Sequence, residues 1–101
     1  MELRELTLVT IITERLLRDE IIDRLKETGV SGYTLSDTTG EGSRGIRASD
    51  WEGKNVKIEV IANHDMATKI IQQISHEYFE NYAVVAYTQK VNVVRGEKYM
   101  A

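Results

Sequence analysis

The chain has no cysteine and no proline in its 101 residues. Without thiols it can form no disulfide, no thiolate metal site and no cysteine nucleophile. The absence of proline argues against a Pro-rich linker or a disordered tail. Positive charge is not in excess: the net charge is −3, whereas a nucleic-acid-binding surface is usually basic. The paired aromatics and basic face that a ferredoxin-like RNA binder needs are also missing, so no nucleic-acid partner is expected. No apolar run approaches the roughly 20 residues of a membrane span. Met1-Glu2-Leu3-Arg4-Glu5 is not a basic region followed by an apolar stretch, so no signal peptide is expected. The expectation is a cytoplasmic protein. His64 and His76 stand twelve apart with no second ligand pair, which argues against a metal site.

What is present is 42% hydrophobic residues against 29% charged, enough to build a core and remain soluble. A chain this short buries a limited share of its surface, and oligomerisation is one remedy.

Glu5 to Ile12 (ELTLVTII) is apolar on both alternating faces, as in a central strand. Thr13 is a candidate N-cap for a helix with Leu17, Ile21 and Leu25 at four-residue spacing and Gly29 at its C-terminal end. A strand is expected over Ser31 to Thr38, then a Gly-rich polar loop, then a strand in which Val56, Ile58 and Val60 alternate with Lys57 and Glu59. Asn63 or Asp65 can cap a second helix with the stripe Met66, Ile70, Ile71, Ile74 and Tyr78, ending near Asn81. Ala83 to Arg95 has no turn signal and predicts one long strand. That exceeds the usual strand of roughly 5–6 residues, so it should project past its sheet towards a neighbouring subunit. The order βαββαβ predicts an α+β, ferredoxin-like sandwich: an antiparallel sheet with two helices on one face, as a single domain over residues 1–101.

The connection from Thr39 to Lys54 is the anomaly, since hairpin loops normally take about two to five residues. Gly40, Gly42, Ser43, Arg44, Gly45 and Arg47 offer a permissive backbone, a hydroxyl and two guanidinium groups. Such a loop can curl its N–H groups around an anion and grip a phosphate. Gly40 to Gly45 also matches GxGxxG, but that motif must open a helix inside a βαβ unit. Here Asp50-Trp51-Glu52-Gly53 and a strand follow. From the residues alone, two readings stay open: an anion-binding loop, or a solvated loop whose arginines pair with Glu41, Asp50 and Glu52. Trp51 could cover a ligand, anchor a partner or pack on its own sheet. No nucleophile, base and orienting group stand together, so an enzyme is not expected.

Gly29-Val30-Ser31-Gly32-Tyr33-Thr34-Leu35, then Gly40-Glu41-Gly42, then Val56-Lys57-Ile58-Glu59, and finally Arg95-Gly96-Glu97 resemble, in order and spacing, the PII signalling family. The resemblance covers nearly the whole chain. It implies a homotrimer with nucleotide sites in clefts between subunits and a regulatory T-loop, about residues 39–54, that engages a partner protein. Arg44 and Arg47 would contact phosphate, with Gly40, Gly42 and Ser43 supplying backbone and hydroxyl donors. Tyr33, Thr34 and Leu35 would line the base, and Tyr87, Arg95, Gly96, Glu97 and Lys98 would approach from the neighbour.

Two departures from the best-known branch weaken the case for triphosphate and 2-oxoglutarate recognition. Glu77 to Tyr82 lacks that branch's Gly- and Lys-containing loop, and Asn92 and Val94 stand where it has arginines. Arg47-Ala48-Ser49-Asp50-Trp51-Glu52-Gly53 is closer to carboxysome-associated PII-like proteins, and Ser43-Arg44 with Arg47 and Ser49 to the cyanobacterial bicarbonate-transporter partners. The ligand so implied is ADP or AMP, with cyclic AMP or ATP as further candidates and bicarbonate as a co-ligand. No catalytic cofactor is implied. The function so implied is nucleotide-dependent signal transduction in inorganic-carbon uptake or carboxysome function. The alternatives are a protein-binding trimeric scaffold and, less favoured, an acylphosphatase-like enzyme. The latter would need a Gly/Arg loop after the first strand, where Ile12-Thr13-Glu14 has none.

Overall fold

The structure is a computed structural model, described here for residues 1–40 and 55–99. Its elements are β1 (Leu3–Glu14), a 3-10 turn (Arg15–Leu17), α1 (Arg18–Thr28), β2 (Thr34–Thr38), β3 (Asn55–Ala62), α2 (His64–Tyr78), β4 (Val85–Val94) and a second 3-10 turn (Gly96–Tyr99). The sheet order is β2-β3-β1-β4, antiparallel at every pairing. This is the ferredoxin-like arrangement expected from the sequence, with its two apolar strands in the centre.

One face of the sheet carries the core. Val9 and Ile11 of β1 pack with Val56, Ile58, Val60 and Ala62 of β3, with Ile21, Ile22 and Leu25 of α1, and with Ala67, Ile70, Ile74 and Tyr78 of α2. Strand side chains alternate faces, so the register puts Leu6, Leu8, Thr10 and Ile12 of β1 on the opposite face. Lys57, Glu59 and Ile61 of β3 and Tyr87 and Val91 of β4 share it.

Gly29 ends α1 in the left-handed conformation at φ 101°, a position that glycine tolerates without steric cost. Of the two candidate caps for α2, Asn63 acts: its side chain accepts a 2.8 Å hydrogen bond from the Met66 N–H.

Several boundaries differ from the sequence expectation. Thr13 does not cap α1. It stays in β1 opposite Val56, fully buried, and its hydroxyl has no hydrogen-bond partner among the described residues. Pairing with β3 runs on through Glu14, so the chain enters α1 through the 3-10 turn, without a side-chain cap. Asp19 and Glu20 in the first turn offset the positive end of the helix dipole instead. β2 starts at Thr34, not Ser31, and α2 ends at Tyr78, not near Asn81. The last strand spans 10 residues and does not project alone. β1 is longer still and pairs with it from Leu3↔Val94 to Ile12↔Val85. The pairing of β1 with β3 stops at Thr7, so β1 and β4 leave the sheet together as a two-stranded ribbon.

Candidate functional site

A cleft of ≈ 480 Å³ opens on the face of the sheet away from the helices. Its floor is Leu8, Glu59 and Ile61 of the two central strands. One wall is Ser31, Gly32, Tyr33 and Thr34, and the other is Lys98 and Tyr99 from the C-terminal turn. Thr34 lies opposite Glu59 in the register, which fixes it on the cleft face. Leu35, the next residue, lies opposite the buried Ile58. It therefore faces the helix side and does not line this cleft.

Lys98 reaches the cleft from its own chain, where the resemblance implies arrival from a neighbour. Its Nζ stands 5.9 Å from the centroid of the Tyr99 ring, within the range of a cation–π contact. Arg95, Gly96 and Glu97 line a second, smaller cleft of ≈ 320 Å³ with Met1, Glu2, Arg4 and Val94. Gly96 is buried there against the Arg4 side chain. Tyr87 lies on β4, three strands from β2, or about 14 Å at the usual strand spacing. It is 45% exposed on the same face but takes no part in the cleft within one chain. Gly40 stands two residues beyond the end of β2. Gly42, Ser43, Arg44, Arg47 and Trp51 lie outside the described residues. Lys57 and Glu59 are half-buried on the cleft face.

The polar cluster between the helices has no signature in the residue pattern. Tyr78 reads as an apolar stripe residue, yet its hydroxyl donates to a Glu20 carboxylate oxygen. Arg24 Nε stands 3.0 Å from Glu77 Oε2, and the Thr28 hydroxyl donates to Gln73 Oε1 at 3.0 Å. Burial, then the Glu20 contact, push the Tyr78 phenol up to about 12. Among the described residues, no group of His, Asp and Glu could hold a metal ion. Among them, no helix is long and apolar enough to cross a membrane.

The fold and the cleft define a ferredoxin-like domain with a ligand-sized recess on its open sheet face. The family model "Nitrogen regulatory protein P-II" matches residues 6–98, and the chain belongs to that family of signalling proteins. It is 49% identical to a PII-like signaling protein from Thermus thermophilus, over 98% of this chain and 99% of that one, with a TM-score of 0.85. CPII from Thiomonas intermedia, bound to ADP, AMP and acetate, shares the fold at 22% identity, 100% coverage of both chains and a TM-score of 0.84. The same protein bound to ADP, AMP and bicarbonate matches at 23% identity, over 99% of this chain and 98% of that one, also at 0.84.

Proposed function

We propose that this chain is a cytoplasmic PII-like signal-transduction protein that binds an adenine nucleotide, ADP or AMP, in clefts between the subunits of a homotrimer. Bicarbonate acts as co-ligand. The ligand state switches the segment 39–54, through which the protein regulates a bicarbonate transporter or a carboxysome component. The observation that carries this reading is the cleft that Tyr33 and Thr34 on one side and Lys98 on the other form within one chain, which a neighbouring subunit would complete. Its dimensions suit a nucleotide, with an aromatic ring for a base and an ammonium for an anion. The ligands of CPII support the choice of nucleotide.

The trimer is supported by the exposed outer edge of β4. Val85 and Tyr87 are 54% and 45% exposed at the margin of the sheet, and an edge strand with exposed apolar residues invites pairing. A second copy set against β4 would also bring Tyr87 towards a cleft that it cannot reach in its own chain. Arg44 and Arg47 would contact the phosphates.

The test is calorimetric titration of nucleotide-free protein with ADP, repeated with bicarbonate. Binding that tightens with bicarbonate supports a carbon-linked energy sensor. Absence of binding in both titrations removes the proposal and leaves a protein-binding scaffold.

A further inference from the structure

The residues that follow β4 form a corner that is strained and tightly packed at adjacent positions. Arg95 has φ 63°, and among the described residues it alone, apart from glycine, adopts positive φ. A side chain with a Cβ enters this left-handed region only at a steric cost. The next residue, Gly96, is buried. A Cβ there would lie 2.8 Å from Arg4 Cβ, 3.1 Å from its Cδ and 3.3 Å from its Cγ. The corner is closed by the Lys98 N–H, which donates to the Arg95 carbonyl at 3.2 Å.

Strain of this kind persists where surrounding contacts over-determine it, and here its consequence is directional. β4 ends opposite Leu3. Had it run on, the chain would have left the sheet at the far end of the ribbon. Instead it reverses across β1, whose Arg4, Leu6 and Leu8 share one face by alternation. Gly96 meets Arg4 at the start of this path, and Lys98 and Tyr99 reach the cleft floored by Leu8 at its end. Leu6, between them, is 4% exposed.

We infer that Arg4, Arg95 and Gly96 form a positioning corner that sets the Lys98 ammonium at the cleft, where it meets the anionic part of the ligand. Arg95 and Gly96 then act on the ligand through Lys98 and do not touch it. The identity of the ligand rests on the nucleotide reading above, while the corner itself rests on geometry alone.

Two measurements on the full chain separate these layers. The first is amide hydrogen exchange at Lys98 in ligand-free protein. Gly96→Ala drives a methyl into Arg4 and should speed that exchange by about tenfold or more, with β1 and β3 unchanged. Arg95→Val, which resists the left-handed conformation, should do the same. Arg95→Gly should not, since glycine adopts the left-handed conformation without steric cost. Unchanged Lys98 exchange in both Gly96→Ala and Arg95→Val overturns the corner.

The second measurement is ADP affinity. Gly96→Ala should weaken binding about as much as Lys98→Ala, roughly tenfold, and the double variant should be no weaker than Lys98→Ala, because the two changes remove one interaction. Additive losses, or an unaffected Lys98→Ala in a protein that binds ADP, overturn the role given to Lys98 and the inference with it. If the wild-type protein binds no ADP, the proposed function falls, and the exchange result still decides the corner.

Discussion

The Tyr78 hydroxyl donates to Glu20 Oε2 at 2.5 Å, joining α2 to α1 across 58 residues of sequence. The tyrosine ring belongs to the core cluster while its oxygen reaches Glu20 of α1. One side chain thus contributes apolar burial and a charge-assisted hydrogen bond.

Tyr78→Phe should keep the packing and lose the bond, destabilising the protein by about 1–2 kcal/mol. Urea unfolding should show a lower midpoint with an unchanged slope. An unshifted midpoint would mean that water replaces the bond at no cost.

The same tyrosine sets a limit at high pH. Its phenol is held up to about 12, above the ordinary 10.0, so the folded state holds this proton more tightly than the unfolded chain does. Its stabilising contribution is complete below pH 10 and is lost as pH rises through about 12. Tyrosinate absorbance should show one of the five tyrosines ionising near that limit, and the delayed step should be absent from Tyr78→Phe.

Asn63 supplies the side-chain cap of α2. Asn63→Ala should cost about 1 kcal/mol and Asn63→Asp much less, since aspartate caps equally well. Equal losses in thermal unfolding for the two variants would show that the cap bond contributes little.

Light scattering should report a trimer for the wild-type protein. Tyr87→Glu, at an exposed position on β4, should shift it towards monomer, because a carboxylate in the proposed subunit contact would lose its water without a partner. A trimer that withstands Tyr87→Glu would move the subunit contact away from β4.

Arg47→Ala should weaken ADP binding by about 1.5–3 kcal/mol, the range for hydrogen bonds to charged groups. Lys98→Ala should fall near the lower end of that range, since Lys98 is exposed and solvent screens it. Calorimetry decides both, and an undiminished affinity in Arg47→Ala would remove residues 39–54 from the site.

Much of this architecture is legible in the chain. Val56, Ile58 and Val60 alternate with Lys57 and Glu59, and the register keeps that alternation. The stripe Met66, Ile70, Ile71, Ile74 and Tyr78 lies on the face that α2 turns to the core. Both patterns come from local periodicity, which depends only on the geometry of strand and helix. Thr13 misleads because a buried strand threonine and an N-cap threonine look alike in sequence. What separates them is whether pairing with β3, more than 40 residues away, continues past that position.

By itself, the sequence determined the order of elements, the faces of the strands, the helix stop at Gly29, and the membership of the PII family through motifs spread along the chain. Only the tertiary structure decided where Lys98 goes. A tail of Arg-Gly-Glu-Lys carries no periodicity to say in which direction it turns. That direction follows from one left-handed residue and from a glycine with no room for a Cβ beside Arg4, contacts between the two ends of the chain that local patterns cannot encode. The same holds for Tyr78, whose ring obeys the helical stripe while its hydroxyl finds Glu20 only after the two helices have packed.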